Sequence, residues 1–236
     1  MPSGSRVALR SRPAGRPRAR PRPDRRAHLL QAAAAVVERN GYANTSMKDI
    51  AAEAGVAQAL LHYYFESKEE LLSEVVMALE NEVQEDWKAA VADIEDPLRR
   101  IAVGLDAAAA KCAERPGYWR LLFDLQSVAF TNPSVRRRLN ELSNHFLADV
   151  VAEIEKVSSS LPTPTPLPAR ELAAAIVAAV DGIALQALLR EEDPRGAYQA
   201  LNAMILGLAA MSYAAAGEEP PFDQLANLLP PTIPVG

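Results

Sequence analysis

Residues 58 to 68, QALLHYYFESK, crowd Gln58, Ala59, His62, Tyr63, Tyr64 and Lys68 into one short stretch. The chemistry open to this set is recognition rather than bond making. A glutamine amide can pair with two atoms of an adenine edge, an alanine methyl can meet a thymine methyl, and imidazole and phenol groups can reach base edges or phosphates. Lys68 behind the stretch, and Thr45, Ser46 and Lys48 ahead of it, are types that anchor phosphates, Thr45 and Ser46 at the start of a helix. For any one of Gln58, His62 or Tyr64 the choice between base, phosphate and solvent stays open. As a set they point to double-stranded DNA.

Other chemistries find little support. The chain has no glycine-rich phosphate loop and no nucleophile elbow, and its three histidines (His28, His62, His145) sit at no metal-ligand spacing. A single cysteine, Cys112, permits neither an intrachain disulfide nor a cysteine zinc cluster. The expectation is a protein that is not an enzyme, with no cofactor and no metal.

The reading helix needs a frame that presents it. In NTSMKDIAAEAGV, residues 44 to 56, Thr45 or Ser46 can cap a short helix that turns Met47, Ile50 and Ala51 inward. Ala51 is small enough for two helices to cross closely, and Gly55 can take the positive φ of the turn. Val56 and Leu61 then plug the second helix onto the first, leaving Gln58, Ala59, His62 and Tyr63 or Tyr64 outward. This is the pattern of a helix-turn-helix. Ahead of it, DRRAHLLQAAAAVVERNGY predicts a helix capped by Asp24, stopped by Gly41, with Ala27, Leu30, Ala34 and Val37 on its inner face. Behind it, Ser67 and Glu70 form a capping-box pattern opening a long helix to about residue 92.

The rest reads as helix after helix, each closed by proline, glycine or serine, so the fold class is all-α with about nine helices: an N-terminal three-helix helix-turn-helix domain and a larger C-terminal bundle. The expected segments are an Arg/Pro-rich arm over 1–23, the helix-turn-helix domain over 24–66, a larger domain over 67–216 and a loosely packed tail over 217–236. The last two long helices are expected at about 169–191 and 195–215, after the proline-rich connector LPTPTPLP.

The formal net charge of −5 conceals an asymmetry. Residues 1–26 hold nine arginines against Asp24, which is +8 and leaves the remainder at −13. A basic arm on an acidic body suggests a polyanion partner for the arm alone. Within GRPRARPRP, residues 15–23, Arg16, Arg18 and Arg20 could lie along a narrow A·T minor groove. A solvated tail with general phosphate attraction is the alternative. No apolar run follows the N-terminal arginines, and LAAAIVAAV is halted at Asp181, so neither a secretory signal nor a membrane span is expected. The expected location is cytoplasmic.

GYANTSMKDIAAEAGVAQALLHYYFESKEELL, residues 41–72, resembles the DNA-binding signature of TetR-family transcriptional regulators in its Gly-Tyr, Thr-Ser, Ile-Ala, Ala-Gly-Val, aromatic run and Ser-Lys-Glu-x-Leu-Leu. Ala57 departs from the serine common at the start of the reading helix, and Leu60 from a small or hydroxylated residue. The resemblance implies a homodimeric repressor that binds a palindromic operator and is released by a small-molecule effector held in the larger domain. Candidate pocket residues are Tyr118, Trp119, Phe123, Gln126, Asn144 and His145, with Phe146 beside them, although such residues also serve as plain core. The resemblance places the dimer contact on the last two helices, where the candidates are Val177, Asp181, Ala184, Leu188, Leu201, Ile205 and Leu208; an intramolecular core is the alternative there. An activator, or an architectural DNA-binding protein working through the arginine arm without a ligand, also remains open.

Overall fold

A computed structural model describes residues 25–165 and 167–228, and among these it contains ten helices and no strand. The first is α1, Arg25–Asn40. Its buried face is Leu29, Ala32, Ala33, Val36 and Val37; of the expected set Val37 lies on it, Leu30 and Ala34 pack half-buried at its edge, and Ala27 is exposed. In an alanine-rich helix several faces are nearly equally apolar, so the period alone does not fix which one turns inward. Gly41 follows at φ +74° and Asn40 ends the helix there. Asp24, the expected cap, lies outside the described residues.

Helices α2 (Met47–Glu53) and α3 (Gln58–Tyr64) complete the N-terminal unit. Ile50 and Ala51 of α2 and Leu61 and Phe65 at α3 are buried in one cluster with the α1 face. The next helix, α4 (Lys68–Val91), is the long one. Ser67 caps it by accepting the Glu70 N–H, while the Glu70 carboxylate accepts from the Glu66 N–H rather than closing the box on Ser67. Leu71, Leu72, Val75 and Val76 of α4 belong to the same core as α1–α3, so the first half of α4 is welded to the N-terminal unit.

The remaining helices are α5 (Pro97–Glu114), α6 (Pro116–Ala129), α7 (Pro133–Ser160), α8 (Ala169–Arg190), α9 (Arg195–Ala216) and the short α10 (Phe222–Ala226). Prolines at the first turns of α5, α6 and α7 fit because no intrahelical N–H is needed there. Helices α7 and α8 pack together, as do α5 and α9, around cores built on Leu105, Val180 and Tyr198 and on Leu98, Val157 and Leu206. The second of these cores takes in Leu225 of α10, and the Asn202 amide donates to the Leu228 carbonyl at 2.9 Å. The start of the tail is therefore packed down, against the expectation of a loose segment.

Helices α8 and α9 are each long and apolar enough to cross a membrane by length and composition alone, a test that core helices also pass. The apolar run LAAAIVAAV is interrupted at Asp181 and resumes at once with GIALQALL inside the same helix. Only 17% and 28% of these two apolar windows are buried within the chain.

Candidate nucleic-acid interface and internal cavity

The reading unit is assembled from local bonds. Ser46 caps α2 with its hydroxyl accepting from the Asp49 N–H, and the Asp49 carboxylate accepts in return from the Ser46 N–H at 3.1 Å. The Ser46 hydroxyl, which donates to the Asp49 carboxylate at 2.6 Å, and then the Ser46 N–H hold that carboxyl below its usual range. Gly55 sits at φ +64°, and the Val56 N–H donates to the Ala51 carbonyl at 3.0 Å, closing the turn. Ala57 caps α3 without a side-chain hydrogen bond. That leaves outward N–H groups at the start of α3.

On α3, Gln58, Ala59, His62 and Tyr63 are exposed, Tyr63 at 80% of its surface. The Gln58 amide and the His62 imidazole meet at 3.3 Å across one helical turn, and Tyr63 and Tyr64 stack edge to face at 5.3 Å. Tyr64 is half-buried, and Phe65 is the inward plug with the Arg26 guanidinium 4.8 Å from its ring centre. These side chains therefore form a continuous exposed polar and aromatic face of suitable length for a groove.

The four expected phosphate anchors sit differently from one another. Thr45 is buried, and its hydroxyl donates to the Gly41 carbonyl at 2.7 Å, so it locks the end of α1. Ser46 and Lys48 are exposed, though the Ser46 hydroxyl is engaged with Asp49. Lys68 is half-buried: its ammonium donates to the Tyr42 carbonyl at 3.0 Å and lies 4.1 Å over the Tyr42 ring. The Tyr42 hydroxyl in turn donates to Glu69, and burial plus that carboxylate push its pKa up to about 12. Tyr42 is thus the brace between the end of α1 and the start of α4, a role that its place beside Gly41 did not reveal. Arg16, Arg18 and Arg20 lie outside the described residues.

Beyond the reading unit, helices α4 to α8 enclose a cavity of about 240 Å³ with a mainly apolar wall. Trp87, Tyr118, Trp119 and Phe146 supply aromatic surface, and Gln126 a polar edge. Gly104 on α5 makes room for Trp87: a Cβ there would come within 2.4 Å of the indole nitrogen, too close for any side chain. Two carboxyl groups enter from facing helices. Glu80 of α4 is buried and accepts a short hydrogen bond from the Tyr118 hydroxyl. Burial raises the Glu80 pKa despite that bond, and burial followed by the nearby Glu80 charge raises Asp181 of α8 to about 6. Desolvation of a charged carboxylate is the cause in both cases.

Of the expected pocket set, Tyr118, Trp119 and Gln126 line this cavity. Phe123 packs toward the core between α8 and α9, and Asn144 and His145 are exposed on α7. On α7 the cavity takes Phe146, which stood beside the expected set, and Ser143, which did not. Glu80 and Trp87 were missed because they sit among the charges of ENEVQEDWK, which reads as a solvated face.

The expected dimer set is similarly divided. Val177 and Asp181 face the cavity, while Ala184, Leu201 and Ile205 are buried in the chain's own core. Leu188 and Leu208 are half-buried. The apolar side chains that α8 and α9 leave uncovered are Leu185, Leu189, Met204 and Met211.

Comparison with known proteins agrees with this division. Residues 29–75 match the family model of bacterial regulatory proteins of the tetR family, and residues 97–196 match that of the C-terminal part of BetI-type transcriptional repressors. The HTH-type transcriptional regulator BetI of Brucella anthropi is 28% identical over 181 residues, covering 74% of this chain and 87% of that one. Its counterpart from Agrobacterium fabrum is 39% identical over 80 residues, 34% of this chain and 39% of that one. The fold is similar to that of a transcriptional regulator from Saccharomonospora viridis solved in complex with choline, with a TM-score of 0.65 and 24% identity, over 76% of this chain and 94% of that one. A reading helix framed as here, on the first half of a helix whose second half walls a cavity, together with matches over both parts, places this chain in the TetR family of transcriptional regulators.

Proposed function

We propose that the protein is a homodimeric repressor whose operator affinity is controlled by a cationic small molecule in the cavity between α4 and α8. The observation that carries the effector class is the pairing of Glu80 and Asp181 with the faces of Trp87, Tyr118, Trp119 and Phe146. An ammonium group is attracted by aromatic faces and by carboxylates alike, most strongly where water is excluded. An anionic ligand would be repelled by these acids once they ionise, and an uncharged one would forgo their charge attraction. The choline bound by the Saccharomonospora viridis regulator, a quaternary ammonium compound, is of this class.

Coupling runs through α4. Its first half shares a core with α1–α3, and its second half contributes Glu80, Val83 and Trp87 to the cavity. Arg138 of α7 bridges Glu70 and Glu74 of α4 at 2.7 and 3.2 Å, and Glu74 also holds Arg26 of α1. A ligand that pushes α4 against α7 strains this cluster and re-aims α3. In a dimer the two reading helices must match half-sites about 34–36 Å apart, so a small rotation of each prevents both from docking.

The second copy covers Leu185, Leu189, Met204 and Met211 on α8 and α9, an apolar surface of the kind that marks an interface. This reading puts the protein in the cytoplasm with its operator. Footprinting on DNA flanking its own gene is the test. A protected palindrome of about two helical turns, lost with Tyr63→Ala and released by choline, is the expected result. Diffuse protection that disappears with modest added salt and is insensitive to choline would instead favour an architectural role for the arginine arm.

A further inference from the structure

We propose that the cavity releases a proton when a cationic effector enters, so that Glu80 and Asp181 make the effector response depend on pH. The inference rests on the cationic-effector reading above and concerns how that site is regulated. Two carboxyl groups on facing helices share one mainly apolar cavity, and the basic groups on its wall are already committed. Lys111 of α5 pairs with Asp86 at 2.9 Å, and Arg115, between α5 and α6, pairs with Glu82 at 3.1 Å. Glu153 of α7 is neutralised by Arg100 and Lys156 at 2.8 Å each. Among the described residues no Lys, Arg or His lies within ion-pair distance of Glu80 or Asp181.

What faces the two acids is mostly neutral or of the same sign. Tyr118 of α6 donates its hydroxyl to Glu80, Asp149 of α7 and Asp86 of α4 add carboxyl groups to the wall, and Tyr198 of α9 lies behind Asp181. Two close acids in a poorly solvated space cannot both ionise cheaply, so the empty cavity retains a proton at mildly acidic pH. Burial and the Glu80 charge raise Asp181 to about 6, and burial raises Glu80. An entering ammonium head supplies the missing positive charge. The carboxyl proton then leaves to the solvent, the O–H electron pair stays on the carboxylate, and the cation remains unchanged. Effector affinity must therefore fall with acidification, because protons compete with the cation for the same anionic site.

The competition is measurable on the full-length protein without DNA. Calorimetric titration with choline at pH 5 and pH 8, each in two buffers of different ionisation enthalpy, reads affinity and proton release together. One group titrating near 6 predicts Kd about tenfold weaker at pH 5 than at pH 8, with a proton delivered to the buffer at the lower pH only. The uncharged isostere 3,3-dimethylbutan-1-ol should show no such weakening. Asp181→Asn should flatten the choline profile, but the unmodified protein alone decides the matter. Choline binding with the same Kd at both pH values and no buffer dependence overturns the proton linkage and leaves the effector class standing. Failure of choline and of tetramethylammonium to bind at any pH overturns the effector class, and the proton linkage falls with it.

Discussion

At the scale of the residue, the site keeps acids where water is scarce. The raised Asp181 pKa states a cost to folding: unfolded Asp ionises near 3.8, folded Asp181 near 6. Below about pH 3 both states hold the proton and there is no penalty. As pH rises through this window the unfolded chain loses its proton first, and above about 7 the full penalty, on the order of 3 kcal/mol, weighs against the fold. Asp181→Asn should therefore raise the melting temperature at pH 8 and leave it nearly unchanged at pH 3, as read by calorimetry. A variant equally stabilising at both would show that packing, not charge, is responsible. Tyr63 carries the opposite signature. With 80% of its surface exposed it supports no core, so Tyr63→Ala should change stability by less than about 0.5 kcal/mol while weakening operator binding at least tenfold. Single side chains were also where the sequence was hardest to read. Thr45 and Lys68 have the types of phosphate anchors, yet Thr45 is turned onto Gly41 and Lys68 onto Tyr42, contacts that depend on how the α1–α2 turn folds back.

Elements were far more legible than faces. Helix stops at Gly41, Gly55 and the prolines before α5, α6 and α7 are written in the local chemistry, and the turn glycine at φ +64° confirms the reason for reading Gly55 as one. Which side of a helix turns inward is not written so plainly where alanine dominates. Helix α8 is apolar almost all round, so the sequence offered Val177, Asp181 and Ala184 as a free face when those residues look inward and Leu185 and Leu189 look out. On α7 the expected Phe146 lines the cavity, and Ser143 does so in place of Asn144 and His145. Two predictions belong here. Glu191 ends α8 at φ 56°, a left-handed conformation that suits glycine, so Glu191→Gly should stabilise the protein by about 0.5–1 kcal/mol in urea unfolding. Met204→Glu, on the uncovered face of α9, should shift the protein from dimer to monomer in sedimentation while leaving its helical circular dichroism intact. A sedimentation coefficient unchanged from the unmodified protein would remove this face from the dimer interface.

For the molecule as a whole, α4, α6 and α7 all join the core shared with α1–α3 to the cavity wall, and α4 is the one that runs on directly from α3. Its first half shares the core of Leu71, Leu72, Val75 and Val76 with α1–α3, and its second half brings Glu80 and Trp87 to the cavity. On the function proposed above, the ion pairs of Arg26, Glu70, Glu74 and Arg138 across α1, α4 and α7 hold the ligand-free aim of the reading helix. A ligand shifts that aim only by the difference in its affinity for the two arrangements. The measurement that tests this most directly is fluorescence anisotropy of an operator duplex, titrated with the unmodified protein and with Glu80→Gln, each with and without saturating choline. Operator affinity should drop at least tenfold with choline for the unmodified protein and stay unchanged for Glu80→Gln, whose ligand-free affinity should match the unmodified protein. Operator binding that is equally tight with and without bound choline in the unmodified protein would contradict control through α4.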